Sequence, residues 1–165
     1  MKRWFFIPGF MAMLLLLVSC AGTPKTTALK PRQQAQKIPP PPAFVPEEVA
    51  LGERVYAENC ASCHGVDLEG EAQWKIQNED DSFRSPPHSA EGHTWHHADS
   101  FLIESIEKGG ARFEGLNIGG TSAMPAFSGI LTDKEIGAVL VYIKSTWPED
   151  IRALQWQQTL KNSSQ

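Results

Sequence analysis

Hydrophobic residues recur at the spacing of an α-helix in three stretches of the chain, 49–56, 101–106 and 136–143. Two glutamates that suit the positive end of a helix dipole stand directly before the first stretch. The last stretch follows a Thr-Asp-Lys-Glu sequence at residues 132–135, which has the form of a capping box. Residues 65–97, in contrast, are mostly loop-forming. The pattern therefore predicts helices at both ends of a domain and a short helix between them.

The N-terminal residues have the layout of an export signal. Residues 1–3 form a short basic region, and an apolar run over residues 4–18 follows it, interrupted by a Pro-Gly pair. We predict that residues 1–19 are a signal peptide that is removed from the mature protein. A retained transmembrane helix is the alternative, but the uninterrupted part of the run is short for a membrane span.

The residues Leu17-Val18-Ser19-Cys20 resemble the bacterial lipobox and come directly after the apolar run. The resemblance implies that Cys20 is diacylated and becomes the mature N-terminus, so that lipid chains tether the protein without spanning the membrane. It places the protein on the periplasmic or outer side of a bacterial membrane. Ala21 resembles the form that is sorted to the outer membrane. Plain secretion without a lipid is the alternative.

Residues 20–46 are rich in proline, glutamine, lysine and threonine, with four consecutive prolines at 39–42. Such a segment has few apolar groups to bury, so we predict a lipid-bearing linker in which the proline run acts as a semi-rigid spacer. A docking site for a proline-binding module is the alternative. The folded domain is then expected at residues 47–148, followed by a tail at 149–165 that can form a short helix.

The most informative motif is Cys60-Ala61-Ser62-Cys63-His64. This C-x-x-C-H pattern is typical of covalently attached haem c, in which two thiols add to the vinyl groups of a haem and the histidine binds the iron. The alternatives are a redox-active C-x-x-C and half of a zinc site. The first calls for a βαβ context and the second for further ligands, yet no cysteine follows Cys63. We therefore predict Cys60 and Cys63 as attachment residues and His64 as the proximal ligand.

The haem motif and the helices around it resemble the class I c-type cytochromes. Gly52 and Tyr56, four residues apart before the motif, look like the family's contact with its C-terminal helix, and residues 131–148 are similar to that helix. The resemblance implies an all-α cytochrome c fold, with three to four helices wrapped around one covalent haem. It also implies that a proline carbonyl, from Pro86 or Pro87, accepts the Nδ1–H of the proximal histidine.

Met124 is the candidate for the sixth iron ligand. Once residues 1–19 are removed, it is the only methionine left, and it precedes a proline in a glycine-rich loop. The resemblance implies a thioether ligand at this place, which together with His64 would favour ferrous iron. The alternatives are a methionine of the core, a histidine ligand and an open sixth position.

Four histidines lie close together in the loop 88–97. They are His88, His93, His96 and His97. Imidazoles bind copper and zinc, so a copper-handling or sensing module is one hypothesis for this loop. The other is a polar loop at the haem edge, in which a histidine or a tryptophan donates a hydrogen bond to a haem propionate. No carboxylate pattern completes a metal site here.

Charge and chemistry narrow the classes of function. The formal charge of −4 becomes −6 when Lys2 and Arg3 are removed with the leader, which argues against nucleic acid as a partner. The sequence shows neither a pair of carboxylates nor a nucleophile with a neighbouring base that would indicate catalysis. We therefore expect a one-electron carrier, not an enzyme, that exchanges electrons with donor and acceptor proteins outside the cytoplasm. A haem-containing subunit or partner of a periplasmic oxidoreductase is the alternative.

Overall fold

The computed structural model describes residues 38–164, so the predicted signal peptide, Cys20 and most of the predicted linker lie outside the described residues. The described chain contains five α-helices: α1 (Pro46–Asn59), α2 (Ala61–His64), α3 (Asp99–Lys108), α4 (Asp133–Ser145) and α5 (Glu149–Ser163). Short 3₁₀ helices lie at Thr94–His96 and Gly109–Phe113. Residues 38–164 form no β-strand, only two isolated bridges. The all-α class is confirmed, with more helices than the expected three to four. In this part of the chain no helix has both the length and the apolar character that a membrane span needs.

Helices α1 and α4 cross at Gly52, and this is the most extensive contact between helices in the described chain. A Cβ atom at Gly52 would lie 2.0 Å from the carbonyl oxygen of Ala138, so the two backbones are in direct contact. Tyr56, one turn further along α1, is buried, and its ring centroid lies 5.5 Å from that of Tyr142. The contact that the family resemblance implied for Gly52 and Tyr56 is therefore confirmed.

The hydrophobic core lies between α1 and α4 and extends into the loop after α2. Its buried members are Val55, Tyr56, Leu68, Val139, Ile143 and Trp147. The predicted capping box begins α4, because Thr132 Oγ1 accepts a hydrogen bond from Glu135 N–H at 3.3 Å and Glu135 Oε2 accepts one from Thr132 N–H at 2.8 Å. These two bonds satisfy N–H groups at the first turn of α4 and fix where the helix begins.

The C-terminal tail forms a 15-residue helix, α5, which is longer than its sequence suggested. Gln155 anchors this helix. Its side chain is buried, and Nε2 donates hydrogen bonds to the carbonyl of His97 at 3.1 Å and to Asp99 Oδ1 at 2.6 Å. Asp99 also forms a salt bridge with Lys144 of α4. Buried polar groups therefore tie α5 to the start of α3. Hydrophobic periodicity does not register polar anchors of this kind, so the sequence pattern underestimated the helix.

The last residues of the predicted linker pack against α5. Trp156 Nε1 donates a hydrogen bond to the carbonyl of Pro39 at 3.0 Å, and Arg152 donates one to the carbonyl of Pro42 at 3.3 Å. The guanidinium of Arg152 also lies 3.9 Å from the ring centroid of Phe44. The segment 39–44 thus lies on the surface of the domain, held there by α5.

Two helical glycines make the crossing of α1 and α4 testable. We expect Gly52→Ala to lower the free energy of unfolding by about 1–3 kcal/mol, because the added Cβ would displace the α4 backbone at Ala138. Gly137→Ala is the matched control, since no atom lies within 4 Å of its Cβ position, and it should raise that free energy by about 0.5–1 kcal/mol. Urea unfolding of the exported variants, followed by far-ultraviolet circular dichroism, measures both changes. Equal stability of the two variants would contradict the close crossing.

Candidate functional site

The C-x-x-C-H motif occupies a short helical turn that follows α1. Cys60 ends α1, where its N–H donates to the carbonyl of Tyr56 at 2.8 Å, and α2 begins at the next residue. Residues three apart on a helical turn lie on the same side, so Cys60 and Cys63 present both thiols to one side. Gly65 ends the turn with φ +80°, a backbone conformation that disfavours residues with a side chain.

The thiol of Cys60 lacks the character of a redox-active cysteine. Burial, followed by the effect of the neighbouring Cys63, raises the pKa of Cys60 to about 11. Redox C-x-x-C sites instead have a nucleophilic cysteine with a lowered pKa. The part of the chain that the structure describes has no strand either, so it offers no βαβ setting for a thioredoxin-like site. The redox alternative therefore has no support from the structure.

His64 ends α2 and is 8% exposed. Its Nδ1 lies 2.9 Å from the carbonyl oxygen of Pro86, which can only accept, so Nδ1 carries the proton and Nε2 keeps its lone pair for a metal. Burial lowers the pKa of His64, although the Pro86 hydrogen bond and the charge of Glu71 act in the opposite direction. The ring is thus neutral at pH 7, which is the form that binds a metal. Of the two prolines expected as acceptor, Pro86 is confirmed.

Pro86 lies 22 residues after His64 in the chain. Backbone hydrogen bonds bring the two segments together. The N–H of Gly70 donates to the carbonyl of His64 at 2.8 Å, and the N–H of His88 donates to that of Leu68 at 2.8 Å. These bonds bring the segment after Pro86 back against the residues that follow α2. The residues between these bonds form a loop. The carbonyl of Pro86 therefore lies beside His64 despite the long separation in sequence.

His88 packs against His64 rather than in a surface metal site. The two rings are stacked, with centroids 4.1 Å apart and planes inclined by 24°. Thr94 donates its hydroxyl proton to the carbonyl of Pro87 at 3.3 Å, so His88 Nδ1 is the donor to Thr94 Oγ1 at 2.9 Å. The indole of Trp147 donates to the carbonyl of His88 at 2.7 Å. Burial, and then the neighbouring imidazoles, lower the pKa of His88 well below its usual value. Sequence reasoning missed this contact because loop residues have no periodicity that assigns them to a face.

The other three histidines of the loop each stack on a different aromatic ring. These pairs are His93 on Trp74 with centroids 5.1 Å apart, His96 on Trp95 at 3.7 Å, and His97 on Phe101 at 4.1 Å. Residues 38–164 contain no group of three or more histidine, cysteine, aspartate or glutamate side chains that could hold a metal ion. The hypothesis of a copper-handling loop therefore has no support from the geometry.

Met124 lies in the loop before α4 and is held against the C-terminal end of α3. Its carbonyl accepts a hydrogen bond from the N–H of Gly110 at 2.8 Å. Gly109 lies equally close, because a Cβ there would be 2.4 Å from the carbonyl oxygens of both Met124 and Pro125. The N–H of Phe127 donates to the carbonyl of Ile106 in α3 at 3.0 Å and fixes the loop three residues after Met124. Two glycines therefore let the predicted methionine ligand approach α3 closely.

These side chains fit a covalently bound haem. Two thiols on one side of a helical turn suit addition to its two vinyl groups, and a neutral imidazole and a thioether suit its iron. A buried imidazole nitrogen, Nδ1 of His93, has no hydrogen-bond partner among the described residues, and haem carries carboxylates that can accept its proton. The site thus offers thiols for the vinyl groups of a haem, an imidazole and a thioether for its iron, and a hydrogen-bond donor for its propionates.

Comparison with known proteins agrees with this geometry. The sequence profile of the cytochrome c family matches residues 49–147. The chain is 29% identical over 102 residues to cytochrome c6 of Diacronema lutheri, which covers 59% of this chain and 95% of that protein. It is 31% identical over 99 residues to cytochrome c-555 of Prosthecochloris aestuarii, which covers 58% of this chain and 85% of that protein. No solved structure matches the chain significantly.

The matched residues 49–147 make up more than half of the chain and include α1, α2, α3 and α4. They contain the C-x-x-C-H turn with its buried, neutral His64. The chain therefore belongs to the cytochrome c family and is an electron-transfer protein with one covalently bound haem c.

Proposed function

We propose that this protein carries single electrons on a haem c that is attached through Cys60 and Cys63, with His64 and Met124 as the axial iron ligands. The hydrogen bond from His64 Nδ1 to Pro86 carries the proposal, because it orients the ring, sets the tautomer and leaves Nε2 for the iron. A core filler or a surface histidine would not need all three of these features. In the alternative, the sixth position of the iron is open, and replacement of Met124 distinguishes the two arrangements.

Attachment consumes the two thiols of the motif. Each thioether would form by addition of a cysteine S–H across a vinyl C=C bond, with the sulfur bonded to one carbon and the hydrogen to the other. The addition balances without an oxidant or reductant. It also assigns both cysteines of the described chain, Cys60 and Cys63.

The two axial side chains favour electron exchange over chemistry on a bound small molecule. Imidazole and thioether together stabilise ferrous iron and occupy both axial positions. The imidazole of His64 is held by the carbonyl of Pro86, and the backbone of Met124 is held by Gly110, so both side chains would keep their places when the charge of the iron changes. Haem supplies the redox chemistry, and these residues set its potential and its orientation.

The proposed membrane anchor is a lipid on Cys20 at the periplasmic side of a bacterial membrane. Because α5 holds the segment 39–44 on the domain, the tether is the stretch from Cys20 to residue 38. As polyproline II, at ~3.1 Å per residue, it could span at most roughly 60 Å. The formal charge of −4 becomes −6 without Lys2 and Arg3, which would steer the domain towards positively charged donor or acceptor surfaces.

Replacement of Met124 tests the sixth ligand. The oxidised wild-type protein should show a weak far-red charge-transfer band, and Met124→Ala should lose it, because the thioether–iron bond is gone. The variant should also show a lower reduction potential and bind CO in the reduced state. Absorption spectra of the exported proteins and a spectroelectrochemical titration measure these changes. A wild type that lacks the band and binds CO readily would contradict the proposal and favour an enzyme subunit or a sensor.

The glycine beside the methionine loop allows a second test that leaves Met124 in place. Gly109→Ala should weaken or abolish the charge-transfer band, because the added Cβ would collide with the carbonyl oxygens of Met124 and Pro125. Gly115→Ala is the matched control, since Gly115 also has a positive φ, +75°, but has no atom within 4 Å of its Cβ position. Both variants pay the cost of positive φ, so only the displaced loop distinguishes them. Loss of the band in both variants would contradict this account.

Replacement of Cys20 tests the anchor. We expect the wild type to incorporate an alkyne-tagged fatty acid and Cys20→Ser to incorporate none, because the lipid is bound to this sulfur. Met124→Ala serves as the control, because it changes the haem site and should keep the label. Labelled protein is detected by gel fluorescence after coupling to a dye. Labelling of Cys20→Ser at the wild-type level would overturn the proposed lipid site.

A further inference from the structure

His93 has a buried polar atom that the fold itself does not satisfy. Among residues 38–164, Nδ1 of His93 is the buried side-chain nitrogen or oxygen for which no hydrogen-bond partner is found. Nearly all buried polar side-chain atoms in folded proteins are hydrogen-bonded, because an unsatisfied one costs about 1–3 kcal/mol. In a protein that binds haem, a group of the cofactor can supply the missing partner of such a nitrogen.

The ring of His93 is held in a fixed orientation. It stacks on Trp74, with centroids 5.1 Å apart and planes inclined by 15°, and it meets His97 edge-on at 5.4 Å. His97 in turn stacks on Phe101 at 4.1 Å. This aromatic stack, Trp74–His93–His97–Phe101, fixes the direction of His93 Nδ1 before any cofactor group meets it.

Positive groups stand at both ends of the aromatic stack. The ammonium of Lys75 lies 5.2 Å from the ring centroid of Trp74, and the guanidinium of Arg112 lies 3.6 Å from that of Phe101. Arg112 also pairs with Glu104, whose side chain is 40% exposed. Burial first, and then neighbouring His96 and Lys75, lower the pKa of His93. A neutral ring with the cations Lys75 and Arg112 at the two ends of its stack suits a hydrogen bond to an anionic acceptor, although Glu104 offsets part of the charge of Arg112.

Three other ring donors of this region, on Trp95, His88 and His64, already have acceptors in the protein. The indole of Trp95 donates to the carbonyls of Ala90 and Gly92 at 3.2 and 3.1 Å. The Nδ1 of His88 donates to Thr94, and that of His64 to Pro86. Among the described residues, His93 is the ring with a buried nitrogen that has no acceptor in the protein. Its chain neighbour Thr94 accepts a hydrogen bond from His88, which stacks on His64, so the loop that carries His93 reaches the proposed iron ligand.

We propose that His93 is a positioning residue for the haem, whose Nδ1–H donates a hydrogen bond to a haem propionate. The proposal rests on the covalent haem c of the family and adds a second point of attachment, on the acidic side of the cofactor. It assigns the Nδ1–H tautomer to His93, because a carboxylate can only accept. A hydrogen bond to an ionised carboxylate is stronger than one between neutral groups, so it would fix both the propionate and the loop 88–97.

Two substitutions at His93 separate hydrogen bonding from packing. His93→Phe keeps an aromatic ring against Trp74 and removes the donor, whereas His93→Gln keeps a donor and removes the ring. His96→Phe is the matched control, because His96 is exposed and stacks on Trp95 instead. The haem-loaded, exported proteins are compared by reduction potential and by the propionate bending band in resonance Raman spectra.

We expect His93→Phe to lower the potential, because a propionate without its donor places more negative charge near the iron and stabilises the ferric state. The propionate band should shift in the same variant, while His93→Gln and His96→Phe stay close to the wild type. An unchanged potential and band in His93→Phe would overturn the proposal. Equal changes in His93→Phe and His93→Gln would assign His93 to packing and overturn it as well. The propionate band does not depend on Met124, so failure of the axial-ligand proposal is recognised separately by the charge-transfer band.

Discussion

The haem site depends on the close crossing of α1 and α4. At Gly52 the two helices approach so closely that a Cβ would lie 2.0 Å from the carbonyl oxygen of Ala138. Each helix then supports one half of the site. From α1, the hydroxyl of Tyr56 donates to the carbonyl of Gly65 at 2.8 Å, directly after His64. From the end of α4, the indole of Trp147 donates to the carbonyl of His88 at 2.7 Å. Since Pro86 lies two residues before His88, the crossing fixes both the proposed iron ligand, His64, and the segment that carries its hydrogen-bond acceptor.

The long loop after α2 is ordered by local contacts rather than by regular structure. Its four histidines do not converge on a metal; each stacks on another ring, and the nearest, His88, stacks on His64. Stacked flat rings make large contact areas with few rotatable bonds, so they hold the loop in one conformation. The same loop carries the acceptor for His64 and the proposed donor for a propionate. A protein that exchanges electrons gains from this rigidity, because ligands that keep their places need little rearrangement when the iron changes charge.

The sequence predicted the parts of the molecule that follow a period or a fixed spacing. Apolar residues at helical spacing located α1 and α4, the capping box located the start of α4, and five consecutive residues indicated the haem. The family resemblance reduced the acceptor of His64 to two prolines, of which Pro86 is the observed one. The stacking of His88 on His64 could not be predicted, because loop residues have no fixed face. The length of α5 was underestimated because its buried anchor is Gln155, a polar residue that hydrophobic periodicity does not register.

Helix α5 lies beyond the residues that match the family, yet it completes the domain. Helix α3 has no side-chain cap of its own, so its first N–H groups need acceptors from elsewhere. Thr159 of α5 supplies one, since its Oγ1 accepts from the N–H of Asp99 at 3.1 Å, and Gln155 donates to the carbonyl of His97. The same helix holds the segment 39–44 where the chain enters the domain. Because His97 touches His93, one helix stabilises the entry of the chain, the start of α3 and the end of the histidine loop. The folding unit is therefore larger than the family domain, because its added helix holds the start of α3 and the end of the histidine loop in place.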